Sequence, residues 1–299
     1  MKPPQLNRLV TQLTWVAFLG CASGTAKTGG PGAPTPEPTN PAPGGTPAPN
    51  RGGFAYAAVR GAAYALERHD SLTIQLPGGA TQQQLIDRTA YLRVSLVPDT
   101  AGFTATIILD SVQAATGGVP AAPDSVLPAR GTQWTGRLNS DGRLSALKSD
   151  RSTTVGDQVA STLRSLFPAL PPGGASSGMS WTDTTDVPIR ADAFDAIERS
   201  VTSYHAMDSD DSRAKKALKL ESTGQYQRSG KGTQYDQQME MTASGSRSST
   251  HYLNPDGTLA LARGSDAGDL TITIPAVGQT VPVKQAGSFS ITALKPTKR

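Results

Sequence analysis

Residues 90–112 determine the fold class, and their sequence is AYLRVSLVPDTAGFTATIILDSV. Between residues 90 and 96 every second position is apolar, which is the period of a strand with one buried face. Turn residues fill positions 98–102, and a second apolar run returns over residues 103–112. The pattern predicts an antiparallel β-hairpin.

The same two-residue period continues on both sides of this hairpin. Leu72, Ile74 and Leu76 alternate with polar residues before a Pro-Gly-Gly turn, and short strand-like runs recur from residue 179 to residue 294. We expect a mainly β domain over residues 54–294. Its strands would form a long antiparallel meander, either as one curved sheet or half-barrel or as two packed sheets.

Two turns share the pattern L-N-x-D-G-x-L, at residues 138–144 and 253–259. In both, Asp-Gly supplies the positive φ angle that a tight hairpin requires. One interpretation is a duplicated β unit, with halves at residues 54–150 and 178–294. The other is a pair of unrelated hairpins with the same favourable turn residues, because the flanking sequences do not align.

The chain between these halves carries an amphipathic helical pattern. Its apolar residues fall on one face at spacings of four, four and three: Val155, Val159, Leu163 and Leu166. Residues 154–157 resemble a capping box with Asp157 in place of Glu, and Pro168 ends the pattern. We expect one helix, over about residues 155–167, that packs its apolar face on the sheet.

The first 21 residues have the order of an export signal. Lys2 and Arg8 precede a short apolar stretch at residues 13–19, which leads into Gly20 and Cys21. This ending resembles the lipobox of bacterial lipoproteins, in which a small residue precedes a cysteine that receives diacylglycerol and becomes the mature N-terminus.

The lipobox resemblance implies lipid attachment at Cys21. The protein would then be exported and anchored by its lipid in the bacterial cell envelope, on the periplasmic face or the cell surface. Cys21 is the single cysteine of the chain, which excludes an intrachain disulfide. Phe18 and Leu19 depart from the residues that the family favours. Two alternatives stay open: cleavage near Ala22 without lipidation, and an inert cysteine in an uncleaved chain.

Residues 22–53 are rich in Pro, Gly and Thr and contain almost no large apolar residue. Such a composition cannot bury a core and favours extended backbone without regular pairing. We expect a disordered tether between Cys21 and the β-rich domain.

The net charge of +4 comes from the two ends of the chain. Residues 53–294 carry 21 basic against 23 acidic side chains, and residues 295–299 form a basic tail. The domain itself is slightly acidic and has no basic block interleaved with aromatic residues. Nucleic acid is therefore not an expected partner.

Two weak catalytic patterns occur. Residues 174–178 match G-x-S-x-G around Ser176, but a nucleophile elbow needs a strand before the serine and a helix after it, and the predicted order is reversed. Asp183 and Asp186 are the carboxylate pair to inspect for glycoside chemistry. A hydrolase that uses Ser176 or this aspartate pair is the minor alternative for the function.

The three histidines, His69, His205 and His251, have no second histidine or cysteine at the spacing of metal ligands. Each is interpreted as an ordinary strand residue. The sequence predicts no catalytic residue, no cofactor and no metal site.

Three further strings resemble a class of bacterial envelope lipoproteins to which no activity is assigned: residues 164–168, 181–188 and 278–283. No catalytic residue is carried over from that class. More distantly, a curved antiparallel sheet with a helix at its mouth resembles the LolA/LolB-type half-barrels that carry lipoproteins or lipids.

These resemblances imply a membrane-anchored envelope lipoprotein, and the expected function is a noncatalytic structural or protein-interaction module. The alternative is a binding or carrier module for an amphiphile, such as an acyl chain or a lipoprotein. The expected partners are the membrane, through the N-terminal lipid, and an amphiphile or envelope protein.

Overall fold

The computed structural model describes residues 53–295, except for residues 77, 101, 192–193 and 235–236. Cys21, the expected export signal and tether, and residues 296–299 lie outside this range. Within it the protein is mainly β, because one curled antiparallel sheet forms a half-barrel and the helices are short.

The secondary-structure elements have the following bounds. The strands are β1 (Val59–Gln75), β2 (Thr81–Asp99), β3 (Gly102–Thr116), β4 (Val119–Pro120), β5 (Gln133–Asn139), β6 (Leu144–Ser149), β7 (Ser180–Ala191), β8 (Phe194–Asp208), β9 (Leu218–Gln234), β10 (Gln237–Leu253), β11 (Leu259–Ile274) and β12 (Gln279–Ala293). The helices are α1 (Pro123–Val126) and α2 (Thr154–Ala160), with 3₁₀ turns at Leu127–Ala129, Leu163–Leu166, Ser212–Ala214 and Pro275–Val277.

The strands follow one another around the half-barrel in nearly sequential order. The path through the sheet is β6-β5-β3-β2-β1-β12-β11-β10-β9-β8-β7, and β4 pairs with β3. All of these pairings are antiparallel. The predicted meander and curved sheet are confirmed, in the half-barrel form rather than as two packed sheets.

The two edge strands of the sheet, β6 and β7, lie on either side of an opening that we call the seam. Arg143, directly before β6, forms an ion pair with Asp183 of β7 across this opening. The chain between the two edges, residues 150–179, contains α2 and is called the roof segment. It connects the two sides of the seam and covers one end of the inner face of the sheet.

Glycines on the inner face allow the sheet to curl. A Cβ at Gly264 would lie 2.5 Å from the ring of Phe289, its partner across β11 and β12. A Cβ at Gly245 would lie 2.6 Å from the hydroxyl oxygen of Tyr226, its partner across β9 and β10. Aromatic rings therefore occupy the space that side chains at these positions would need, as is common where strands bend.

Two apolar cores fill the opposite ends of the inner face. The first lies under the roof segment and includes Leu92, Ile107 and Leu163. The second, at the other end of the long strands, includes Ile74 and Ile272. Charged and hydroxyl side chains occupy the band of the sheet between these cores, so the interior is apolar at both ends and polar in the middle.

The helix predicted over about 155–167 is shorter in the structure. It covers Thr154–Ala160, and Leu163–Leu166 form a separate 3₁₀ turn. Gly156 and β-branched residues make this stretch a poor helix former, which accounts for the early end. The predicted apolar face is correct, because its four residues are all buried: Val155, Val159, Leu163 and Leu166.

The predicted cap lies one residue earlier than expected. Thr153 is the N-cap, and its side-chain oxygen accepts a hydrogen bond from the amide of Gly156 at 3.1 Å. Asp157 accepts a hydrogen bond from the hydroxyl of Ser152 at 2.9 Å. No helix in the described ranges is both long enough and apolar enough to span a bilayer.

The two L-N-x-D-G-x-L turns have the same backbone geometry. The amides of Gly142 and Gly257 each donate to an asparagine carbonyl at 3.0 Å, Asn139 and Asn254 respectively. Both glycines have positive φ, 82° and 83°. The duplication of the two halves stays a prediction, because identical turns also arise from the shared turn residues alone.

Both turns also contact the chain where it enters the domain. A Cβ at Gly142 would lie 2.7 Å from the ring of Tyr56, and one at Gly257 would lie 2.6 Å from the amide nitrogen of Ala57. Phe54 forms a β-bridge with Ala175 of the roof segment. The entering chain is therefore held between two hairpin turns and the roof.

Candidate binding cleft

The polar band of the sheet borders a cleft of about 800 Å³, called the polar cleft. Its floor is the inner face of the long strands, and its upper wall is the roof segment. Residues on both sides of the seam also line it, so the cleft extends along the opening between β6 and β7. The arginines that line it are Arg68, Arg88, Arg143, Arg164, Arg228 and Arg247, and the acidic residues are Asp70, Asp183, Asp186, Glu198 and Asp266.

Glu198 on β8 is the centre of one charged cluster in this cleft. Arg228 is its direct cross-strand partner on β9 and donates to it at 2.6 Å. Arg247 on β10 reaches it from the next strand, with a nitrogen–oxygen distance of 2.7 Å. Gly224 is the cross-strand partner of Arg247 and has no side chain between the two strands. Two guanidinium groups therefore share one carboxylate.

The three members of this cluster differ in exposure. The Glu198 side chain is 3% exposed and that of Arg228 is 7% exposed, whereas Arg247 is 40% exposed. Burial raises the pKa of Glu198, but the charges of Arg247 and Arg228 outweigh it, so the pKa lies below its ordinary value. Glu198 is thus ionised at neutral pH, and the cluster carries a net positive charge.

Tyr226 fixes the position of Arg247. The guanidinium carbon of Arg247 lies 4.3 Å from the centroid of the Tyr226 ring, which is the geometry of a cation–π contact. The Tyr226 hydroxyl accepts a hydrogen bond from the side-chain amide of Gln285 at 2.6 Å. Burial raises the pKa of Tyr226, so its hydroxyl stays neutral. Arg247 is held between a carboxylate and an aromatic face.

A second charged cluster occupies the β1, β2 and β11 side of the polar cleft. Arg68 pairs with Asp70 at 2.7 Å and with Asp266 at 2.8 Å. Arg88 pairs with Asp70 from the neighbouring strand β2. Two arginines are matched here by two aspartates, so this cluster is close to neutral.

His251 attaches the roof segment to the sheet. Its Nε2 atom lies 2.9 Å from the backbone carbonyl oxygen of Ser165, which assigns the proton to Nε2. Burial lowers the pKa of His251 to about 4, and the hydrogen bond to Ser165 only partly offsets this effect. The next residue, Arg164, lines the cleft from above, and among the described residues it forms no ion pair.

The seam side of the cleft carries an aromatic pair. Trp181 of β7 stacks on Tyr204 of β8, with ring centroids 5.2 Å apart and an interplanar angle of 8°. Burial raises the pKa of Tyr204 to about 12. Tyr204 lines the cleft, so Trp181 is positioned to report optically on changes there.

The structure does not assemble either of the two weak catalytic patterns. Ser176 follows the Ala175 bridge and precedes β7, so the strand-to-helix order of a nucleophile elbow is missing. Asp183 and Asp186 are three positions apart on β7 and point to opposite faces of the strand. Asp183 pairs with Arg143, and Asp186 lies 4.0 Å from Arg199.

The three histidines have separate partners in the structure. His69 lies 2.7 Å from Asp87 on the surface, and His205 lies 2.8 Å from the hydroxyl of Ser180 on the neighbouring strand. His251 is the buried one and belongs to the roof contact. In the described part of the chain, no group of three or more His, Cys, Asp or Glu side chains is placed to hold a metal ion.

Sequence reasoning missed the charged clusters, although part of the signal is present. Arg88 stands two residues before Ala90 in the alternation of β2, and Asp70 stands two residues before Leu72 in that of β1. Both therefore occupy inward positions of strands that were predicted. A charged residue at an inward position indicates a buried ion pair or a polar site.

No protein-family model matches the chain, and no curated protein does. DynF of the dynemicin biosynthesis pathway of Micromonospora chersina is similar at 13% identity over 84% of this chain and 94% of that one, with a TM-score of 0.23. Neisserial surface protein A is similar at 8% identity over 78% and 97%, with a TM-score of 0.21. Likenesses this weak support no conclusion about the function of this protein.

Proposed function

We propose that the protein is a noncatalytic binding module of the bacterial cell envelope, anchored by a lipid on Cys21, whose half-barrel takes an amphiphile in the polar cleft. The observation that carries the proposal is the cleft of about 800 Å³ between the sheet and the roof segment. Cavities of roughly 300–1,000 Å³ are the usual size for small-molecule sites.

The lining of the cleft suits a ligand with both polar and apolar parts. Its middle is charged, while Leu144, Val187 and Phe289 supply apolar surface beside it. The two apolar cores are filled by the protein's own side chains, so an apolar portion of the ligand would lie along the seam rather than inside a core.

The polar groups of the cleft favour binding over catalysis. The Nδ1 atom of His251 lies 3.4 Å from the hydroxyl of Ser249, which is the nearest approach to a serine–histidine pair in the lining. This distance is at the limit of a hydrogen bond. A histidine with a pKa of about 4 is also a poor general base at neutral pH.

Ligand uptake can be tested with a fluorescent fatty acid or phospholipid and the delipidated chain. Thr202→Trp places a large side chain in the cleft, and Ser203→Trp places the same side chain on the opposite face of β8. We expect uptake by the wild type and by Ser203→Trp, and a loss of uptake in Thr202→Trp. Absence of uptake by the wild type, or equal uptake by both variants, would contradict the proposal.

The anchor can be tested separately by mass spectrometry of the membrane fraction. We expect a diacylglycerol-modified cysteine at the mature N-terminus, and we expect Cys21→Ser to move the protein out of the membrane fraction. An unmodified Cys21, or a mature chain that lacks it, would contradict the anchor and leave the cleft proposal in place.

A further inference from the structure

We infer that the polar cleft binds an anionic group, a carboxylate or a phosphate, between Arg247 on the sheet and Arg164 on the roof segment. This inference rests on the proposed function, because it assigns the chemistry of the ligand that the cleft would take. The acidic group could belong to a lipid headgroup or to a small free anion, and both present the same oxygens to the arginines.

The charge balance of the lining is the first support. The cleft is lined by six arginines and five acidic residues. The β1, β2 and β11 cluster is balanced, and Arg143 is matched by Asp183. Asp186 lies 4.0 Å from Arg199, which is outside the lining, so the positive excess lies with Arg164 and with the Glu198 cluster. A cleft with low-dielectric walls concentrates the field of such an excess and attracts anions.

The division of roles within the Glu198 cluster is the second support. Arg228 and Glu198 are buried, whereas Arg247 presents 40% of its side chain to the cleft. If the second arginine served only to neutralise Glu198, Arg228 alone would be enough. The exposed guanidinium is instead held in place by Glu198 and by the ring of Tyr226 at 4.3 Å. A fixed guanidinium loses little freedom when it binds a carboxylate or phosphate.

The position of Arg164 is the third support. Its neighbour Ser165 is bound to His251 of β10, the same strand that carries Arg247. The roof contact therefore places Arg164 next to His251, four residues along β10 from Arg247, and both arginines line one cleft. Hydroxyl groups on the floor add further donors for an anion: Ser200, Thr202, Ser222 and Ser249.

A cation is the less suitable occupant. Four of the five acidic residues in the lining form ion pairs with at least one arginine: Asp70, Asp183, Glu198 and Asp266. The fifth, Asp186, lies near Arg199. A cation would have to displace these arginines. An anion can add to arginines that already hold their positions, as is usual for guanidinium sites.

The test uses the full chain with Cys21→Ser, purified without detergent, and follows binding heat and tryptophan fluorescence, to which Trp181 contributes from beside the cleft. The probes are dodecyl phosphate, the uncharged dodecyl maltoside, and inorganic phosphate. We expect dodecyl phosphate to bind at least about tenfold more tightly than dodecyl maltoside, since hydrogen bonds to charged groups contribute at this level.

Two arginine variants and one control complete the design. Arg164→Gln removes a charge that belongs to no ion pair in the described residues. It should therefore weaken the binding of dodecyl phosphate about tenfold without changing the stability of the protein. Arg247→Gln should weaken the binding of dodecyl phosphate as strongly, and Arg247→Lys should restore part of the affinity. Arg93→Gln is the matched control, because Arg93 is exposed on the outer face and pairs with Asp110.

The outcomes separate the two proposals. Equal binding of both dodecyl compounds, with no effect of the arginine variants, would overturn the anionic site and leave the cleft as an amphiphile site. If inorganic phosphate bound as tightly as dodecyl phosphate, the result would support the anionic site and contradict the proposal that the ligand is an amphiphile. No binding of any probe would overturn both.

Discussion

The imidazole of His251 and the backbone carbonyl of Ser165 join the sheet to the roof segment through one buried hydrogen bond of 2.9 Å. The two residues are 86 positions apart in the chain. The bond requires a proton on Nε2, and burial keeps the ring neutral because it disfavours a second proton on Nδ1. The stability of the roof is therefore coupled to pH.

The first prediction is a loss of stability in mild acid. The pKa of His251 is about 4 in the folded protein against an ordinary value of 6.5, so the unfolded chain binds more protons between these two values. Stability should fall as pH decreases through this window, by about 2 kcal/mol between pH 7 and pH 5. Urea unfolding at several pH values would measure the change.

The matched variants for this prediction are His251→Gln and His205→Gln. His251→Gln should remove most of the stability difference between pH 7 and pH 5, while His205→Gln, on an exposed strand position, should retain it. If His251→Gln and the wild type lost stability equally over this range, the buried histidine would not be the group that titrates.

The second prediction concerns the buried carboxylate of Glu198. Glu198→Gln keeps the shape of the side chain but leaves the buried guanidinium of Arg228 without its counter-charge. We expect a loss of about 3–5 kcal/mol in the free energy of unfolding, the range for breaking a buried pair. Glu240→Gln is the control, because Glu240 and Lys231 form an exposed pair. A loss below 1 kcal/mol for Glu198→Gln would mean that water compensates Arg228.

The third prediction concerns Gly245, where the ring of Tyr226 crosses the sheet. A Cβ at this position would lie 2.6 Å from the Tyr226 hydroxyl oxygen and would also contact the carbonyl of Ala267. Gly245→Ala should therefore displace both Tyr226 and the backbone of β11 at Ala267, and cost about 1–3 kcal/mol, as overpacking does. Ser246→Ala, one residue further along β10 and facing outward, should be close to neutral in the same thermal unfolding measurement.

The fold class could be predicted from the sequence because strand periodicity and turn residues are local signals. The patterns that predict the hairpin at residues 90–112 and the Asp-Gly turns each lie within a short stretch of consecutive residues. The helix was predicted too long, because the spacing of Val155, Val159, Leu163 and Leu166 indicates which residues are buried but not whether the backbone stays helical through Ser161 and Thr162.

The candidate site was harder to predict, for a physical reason. Glu198, Arg228 and Arg247 come from three strands and meet only through the register of β8, β9 and β10. Beside Glu198, the large apolar residues of β8, Ile197 and Val201, lie on the exposed face, so its alternation indicates the wrong face as the buried one. Only Asp70 and Arg88, which continue apolar alternations in β1 and β2, carried a readable signal.

The last prediction concerns the seam, where Arg143 and Asp183 form an ion pair between the two edges of the sheet. Arg143 is about half exposed, so Arg143→Gln should change the free energy of unfolding by less than about 1 kcal/mol. The same change removes a link between β7 and the turn before β6. Backbone amides of β7 should therefore exchange with deuterium faster, while those of β1 and β12 in the middle of the sheet should be unaffected. Arg137→Gln, which removes an exposed pair with Asp99 that does not cross the seam, is the control. Unchanged exchange in β7 would show that the edge strand is held by its pairing with β8 alone.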